Sequence, residues 1–240
     1  MIFTLNMREE EFFHNLEISE EDKLRAAKAL QSKGIEKHIL IKEYLLSWCN
    51  SASIKYSEVA TTYRYDKRIR NVLYKYIGYL EEYYRAIILD NFYNNLEQNF
   101  WIEEFCKSIK ANENDLNLAL ESVEFGILIK QIRALPLEFK QKYNLIFDHE
   151  RKNFYALNNL RNAVMHNKFL ILYRGYEICY VKGVNQNKSA SLKANILNLI
   201  NLLPTEVGAK CKEDINLCKQ ERNNQNKTSW DLPKQVIVEI

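Results

Sequence analysis

The stretch Leu157-Asn158-Asn159-Leu160-Arg161-Asn162-Ala163-Val164-Met165-His166-Asn167-Lys168 holds an Arg, an Asn beside it and a His five places after the Arg. A guanidinium presents a planar fork of donors that suits a phosphate. An imidazole exchanges a proton near neutral pH. RNA carries its own nucleophile, the ribose 2′-OH. A phosphate grip and a proton carrier are therefore a minimal kit for cutting it. Spacing alone is weak support: with eleven Arg and four His, such a pair arises by chance in roughly one chain in five or six. Requiring Asn directly after the Arg lowers this to about 2%. Arg8 and His14 make a similar pair, but Glu9, Glu10 and Glu11 lie between them and would repel a phosphate.

Local charge favours an anionic ligand. Arg151, Lys152, Arg161, Lys168, Arg174, Lys182, Lys188 and Lys193 fall in one window whose only acid is Glu177, on a chain of net charge +3. Basic side chains supply most sequence-independent affinity for nucleic acid. Arg151, Lys152, Lys168, Arg174 and Lys182 are thus candidate RNA-binding residues. Tyr155, Phe169, Tyr173, Tyr176 and Tyr180 are interleaved with them and could stack on unpaired bases. A solvated basic face over core aromatics is the plainer explanation of the same pattern.

The elements that carry these residues are expected to be helices. Six Gly and three Pro in 240 residues, with 47% hydrophobic residues, argue for a folded chain of long helices. Ser19 followed by Glu20-Glu21-Asp22 opens one helix, which Gly34 closes. A second runs to about Cys49, and the polar stretch from Ser51 to Tyr65 is expected to be a connection. Asp66 is expected to cap the longest helix, with Ile69, Leu73, Tyr76, Ile77, Leu80, Tyr84, Ile87 and Ile88 on its apolar stripe to about Leu96. Glu81 and Arg85 sit one turn apart in the favourable order for an ion pair, most simply a solvated one. A shorter helix is expected over 100–110 and another from Asn112 to Leu135, ended by Pro136. Asp148 is expected to cap the helix with the Arg–Asn–His stretch, whose apolar face is Phe154, Leu157, Leu160, Ala163 and Val164. Tyr173–Val184 is expected to be a small hairpin or an irregular insert. Helices over Ser191–Leu203 and Thr205–Glu221, a polar linker and a terminal strand or docking arm at Val236-Ile237-Val238 follow.

The expected fold is all-α, a bundle of long antiparallel helices. Residues 1–65 form an N-terminal helical segment packing on the core, 66–222 the main domain, and 223–240 a linker and arm. Five Cys without a C-x-x-C, and three further His without ligand spacing, predict no disulfide framework and no metal site. No phosphate-loop or dinucleotide glycine motif occurs, so no cofactor is expected. No apolar run long enough for a membrane span and no signal peptide are visible, which predicts a cytoplasmic protein. On a straight helix, Arg161 and His166 point about 140° apart, whereas Asn162 and His166 share a face. A site using Arg161 and His166 together then needs either a frayed helix end or a second copy of the helix.

Arg161-Asn162-Ala163-Val164-Met165-His166 resembles the R-N-x-x-x-H signature of HEPN-domain ribonucleases. Tyr63-x-x-Asp66-x-x-Ile69-Arg70 leading into Glu81-x-x-x-Arg85 is similar to the pattern of the Abi-like, abortive-infection branch. The Ser191–Leu203 helix also resembles that family, and the likeness spans roughly Ser19 to Glu221. Residues 173–184 and the tail after Asn223 have no counterpart. The resemblance implies a HEPN-like helical homodimer, joined through the motif helices, that cleaves RNA without metal. It implies a toxin in phage defence or a toxin–antitoxin pair, restrained by an RNA or protein antitoxin. It implies that His166 is the general acid/base, Arg161 the phosphate ligand, Asn162 an orienting group, and Glu81, with Arg85, a support for Arg161. The alternative is a non-catalytic helical RNA- or protein-binding module in which Arg161 and His166 satisfy polar groups between helices.

Overall fold

In the computed structural model the chain is mostly helical, an all-α protein. Residues 7–49, 52–94, 120–184, 190–221 and 229–240 are described, with Lys107 alone between. The elements are α1 (Met7–Phe13), β1 (Leu16–Glu17), α2 (Glu20–Lys33), α3 (Ile35–Cys49), β2 (Ile54–Lys55) and α4 (Tyr56–Asn94). They continue as α5 (Phe125–Ala134), α6 (Leu137–Lys142), α7 (Glu150–Met165), α8 (Leu192–Leu202), α9 (Thr205–Leu217) and a 3₁₀ turn at Lys234–Val236. β1 and β2 pair in parallel over two residues each. Among the described residues no helix is long and apolar enough to cross a membrane.

Two compact units result: Met1–Asn71 with Phe169–Tyr173 and Asp214–Glu239, and Val72–Lys168 with Arg174–Glu213. The boundary expected at residue 65 falls inside α4.

The first unit is built from short-range signals that are plain in the sequence. Ser19 caps α2, its hydroxyl accepting the Asp22 N–H at 3.1 Å, and Gly34 ends it at φ 83°. The connection expected over Ser51–Tyr65 is largely helix, because α4 starts at Tyr56 and runs 39 residues. Glu58 accepts the Lys55 N–H at 2.9 Å, half of a capping box at this start. The apolar stripe fades here because Thr61, Thr62 and Asp66 fill buried positions on it. Asp66 is therefore no cap of its own helix. It lies inside α4, fully buried, and accepts the Ile171 N–H at 3.1 Å while facing Arg70 at 3.5 Å. The terminal segment forms no strand but an arm on α4. Ser57 donates to Asp231 at 2.5 Å, the Val238 N–H donates to the Tyr65 hydroxyl at 2.9 Å, and Trp230 lies under Arg68 at 4.2 Å.

In the second unit, α4 buries Leu73, Ile77, Leu80 and Tyr84, α5 buries Leu128 and Ile132, and α7 buries its five expected apolar residues. The helix expected over Asn112–Leu135 is broken: the chain leaves helix at Val123 and Glu124 and re-enters at Phe125. Apart from Lys107, the helix expected over 100–110 lies outside the described residues, as do most of the polar linker and residues 112–119. α7 starts one residue later than expected. His149, in the left-handed region at φ 54°, holds the cap position, and its ring stacks on Tyr180 at 4.1 Å. Residues 173–184 form no hairpin; they are irregular chain fastened by buried amides. Asn153 donates to the Tyr180 carbonyl at 3.0 Å and accepts its N–H at 2.7 Å. Asn195 donates to the Glu177 carbonyl at 3.1 Å, and Asn198 to the Asn153 carbonyl at 2.8 Å.

Two buried titratable groups in the first unit act on stability in opposite senses. Burial pushes the Asp66 carboxyl up to about 6 from 3.8, against the opposing pull of the Ile171 N–H, Arg70 and Lys37. Burial pushes His38 down to about 4 from 6.5; its ring stacks on Tyr63 at 4.5 Å and bonds the Gly34 carbonyl at 2.9 Å. Between pH 4 and 6 folded Asp66 keeps a proton that the unfolded chain has lost, so its contribution falls as pH rises. Between pH 4 and 6.5 folded His38 lacks a proton that the unfolded chain has gained, so its contribution rises with pH. Each displacement is worth roughly 3 kcal/mol, and the two oppose each other. Asp66→Asn is therefore expected to make the protein more acid-sensitive than the parent over pH 6.5 to 4. His38→Gln is expected to make it gain stability over the same span. Urea midpoints at three pH values test this, and parallel pH profiles for all three proteins would refute it.

Candidate active site

Three of the expected site residues meet in the second unit. Leu160, Ala163 and Val164 face the core, which turns Arg161 toward α4. There the Arg161 Nε donates to the Glu81 carboxylate at 3.1 Å. The other Glu81 oxygen lies 3.6 Å from the Arg85 guanidinium. Arg85 in turn donates to the Leu120 carbonyl at 2.9 Å and the Val123 carbonyl at 3.4 Å, where the chain leaves helix before α5. The Arg161 guanidinium also sits 5.9 Å from the centre of the Phe125 ring. Glu81 and Arg85 are thus not a solvated surface pair: their side chains are 14% and 21% exposed.

One carboxylate between two guanidiniums leaves a surplus positive charge. The Arg161 terminal nitrogens make no hydrogen bond among the described residues. Its side chain is 30% exposed, so those nitrogens are accessible to an anion from solvent.

Asn162 and His166 lie elsewhere on α7. Both are exposed, and the His166 N–H donates to the Asn162 carbonyl at 3.0 Å, so helical geometry persists to His166. The helix then closes in a Schellman motif. Asn167, at φ 52°, donates to the Val164 carbonyl at 3.1 Å, and Lys168 to the Ala163 carbonyl at 2.9 Å. The end is therefore not frayed, and the wide angular separation of Arg161 from His166 stands.

The expected RNA-binding residues are spread out. Lys168 follows the helix end, and Arg174 and Lys182 are exposed on the irregular segment. Arg151 and Lys152 lie in the first turn of α7, about 20 Å from His166 by helical rise. They line a cleft together with Lys130 and Arg133 of α5. Lys130 and Arg133 fall outside the basic window, so charge counting over one continuous stretch misses them. Phe125 was likewise missed; only its placement at the start of a separate helix brings it to Arg161. Among the described residues no three His, Cys, Asp or Glu gather closely enough to hold a metal ion.

Compared with known proteins, the chain matches no family model, no curated protein and no solved structure.

Glu81→Ala is expected to lower stability by about 2 kcal/mol, because it leaves two part-buried guanidiniums without their shared acceptor. Glu81→Gln should recover part of this. Equilibrium urea denaturation reads both, and a loss below about 0.5 kcal/mol for Glu81→Ala, the range of an ordinary surface change, would mean that the trio is not a structural fastener.

Proposed function

We propose that the protein is a metal-independent endoribonuclease of HEPN type, with Arg161, Asn162 and His166 as its catalytic residues. The observation that carries this reading is the anchored but uncommitted guanidinium of Arg161, on the helix that also exposes Asn162 and His166. Arg161 holds the non-bridging oxygens of the scissile phosphate and meets their growing charge. His166 takes the proton of the ribose 2′-OH as that oxygen attacks phosphorus, and a proton is returned to the departing 5′-oxygen. The products are a 2′,3′-cyclic phosphate and a 5′-OH. Asn162, one turn from His166 on the same face, orients it. Glu81 and Arg85 fix Arg161.

A single α7 points Arg161 and His166 in different directions, and its closed end removes the alternative of local fraying. The reading therefore includes a homodimer in which Arg161 of one copy and His166 of the other share a phosphate. It also includes the biological setting: a cytoplasmic toxin of abortive infection or of a toxin–antitoxin pair, held in check by an RNA or protein antitoxin. The competing reading, a binding module with a structural motif, draws on the Arg161–Glu81 bond, which a purely structural Arg would also make. It does not account for His166, which is exposed and bonds no buried group through its side chain among the described residues.

Two measurements decide the matter. Purified protein in EDTA should cut single-stranded RNA, and Arg161→Ala and His166→Ala should each lose about 10²–10⁴ in rate. Intact RNA with the parent, or equal cutting by His166→Ala, ends the catalytic proposal. In a second measurement the two inactive variants are co-refolded in equal amounts. A shared site predicts recovery of about a quarter of parental activity, since random pairing restores one site in each mixed dimer. No recovery would place both groups in one copy.

A further inference from the structure

The second unit contains a cleft of about 770 Å³ between α5, the first half of α7 and Glu177-Ile178. That volume is in the range of small-molecule sites. Its walls combine two features. Tyr155 and Ile178 are large apolar side chains that stand 62% and 52% exposed there. Around them stand Lys130, Arg133, Arg151 and Lys152 against the carboxylates of Glu124 and Glu177, a surplus of two positive charges. Lys130 and Arg151 form no ion pair among the described residues. Lys152 meets the Tyr180 hydroxyl at 3.0 Å rather than a carboxylate, and Arg133 is 3.9 Å from Glu150.

An aromatic face next to unspent cations suits a base with its phosphate better than it suits a wholly apolar or acidic ligand. Position adds direction. Tyr155, Asn158, Asn162 and His166 follow one another at spacings of three and four along the outer face of α7. Tyr155 and Asn162 are then about 10 Å apart along the helix axis.

We infer that this cleft seats one unpaired nucleotide of an RNA strand, with its base on Tyr155 against Ile178 and its phosphate between Lys130 and Arg151. The strand then continues along α7 toward Asn162 and His166. The path toward those residues rests on the ribonuclease reading; the seat itself does not. Lys130 and Arg151 position the strand, while the Glu124 and Glu177 carboxylates offer acceptors to the N–H groups of the base edge.

Gly126 supplies a clean test. It lines the cleft, and a Cβ added there would meet nothing within 4 Å. Gly126→Leu adds bulk to the wall of the seat from a position whose Cβ clashes with nothing. The full chain carrying His166→Ala, so that RNA is not consumed, is titrated into a short unstructured labelled RNA and followed by anisotropy. Gly126→Leu and Tyr155→Ala are each expected to weaken binding by about tenfold, with melting curves like that of the starting protein. Arg151→Gln should lower the salt dependence of log K by about one. Affinities within twofold of the starting protein for both Gly126→Leu and Tyr155→Ala overturn the inference. So does a starting protein that binds no RNA, or a cleft that takes free AMP while RNA binding ignores both changes. The two proposals fail separately. Uncut RNA with weakened binding by Gly126→Leu sinks catalysis and keeps the seat. Normal cutting and binding by Gly126→Leu does the reverse.

Discussion

A single part-buried carboxylate ties together the parts of the second unit that form the candidate site. Glu81 takes the guanidinium of Arg161 on one oxygen and faces that of Arg85 with the other. Through them it joins α4 to the motif helix and to the turn before α5. A carboxylate removed from water is costly unless paired, and a guanidinium likewise. Each member of the trio is thus held by the others. The arrangement is unbalanced by design of its charges: two cations share one anion, and the least buried cation is the one on α7. That imbalance leaves Arg161 with positive charge that Glu81 does not fully offset.

The same economy recurs elsewhere in the chain. Segments without regular backbone pairing are held by buried polar side chains. Asn153 presents its amide to Tyr180 much as a neighbouring strand would, donating and accepting at once, and Asn195 and Asn198 extend the set. Asp66 does this for the chain at Ile171. Lys42 serves the end of α1, its ammonium donating to the Glu11 carbonyl at 2.7 Å. Unmet backbone groups in an interior cost more than a made hydrogen bond returns, so these residues decide where irregular chain can lie. A polar residue in each such place also makes a poor hydrophobic signal.

That explains what the sequence did and did not disclose. The all-α class, the limits of α2 and α3, the core face of α7 and the extent of α8 follow from local rules of capping and spacing, and they are present. The start of α4 was hidden because Thr61, Thr62 and Asp66 interrupt its apolar stripe at buried positions. Asp66, a natural cap residue by type, is buried inside the helix, and its partner Ile171 is over a hundred residues away. The break falls on Val123 and Glu124, neither of them a helix-breaking residue by type, and part of what satisfies it, Arg85, comes from another helix. In the site, the Glu81–Arg85 spacing was visible, whereas the pairing of Glu81 with Arg161 came only from a resemblance. The cleft was invisible to a window of charge because half of its cations are on α5.

α7 divides its residues cleanly. Phe154, Leu157, Leu160, Ala163 and Val164 are buried, while Arg151, Tyr155, Asn162 and His166 are exposed on the opposite side. Few positions serve both ends at once, Arg161 being the main one. A lineage carrying this helix can therefore drift on its outer face at little cost in folding, exchanging one ligand or regulator for another. Arg161 is the position where such drift would cost folding as well, because its guanidinium is tied to the core through Glu81.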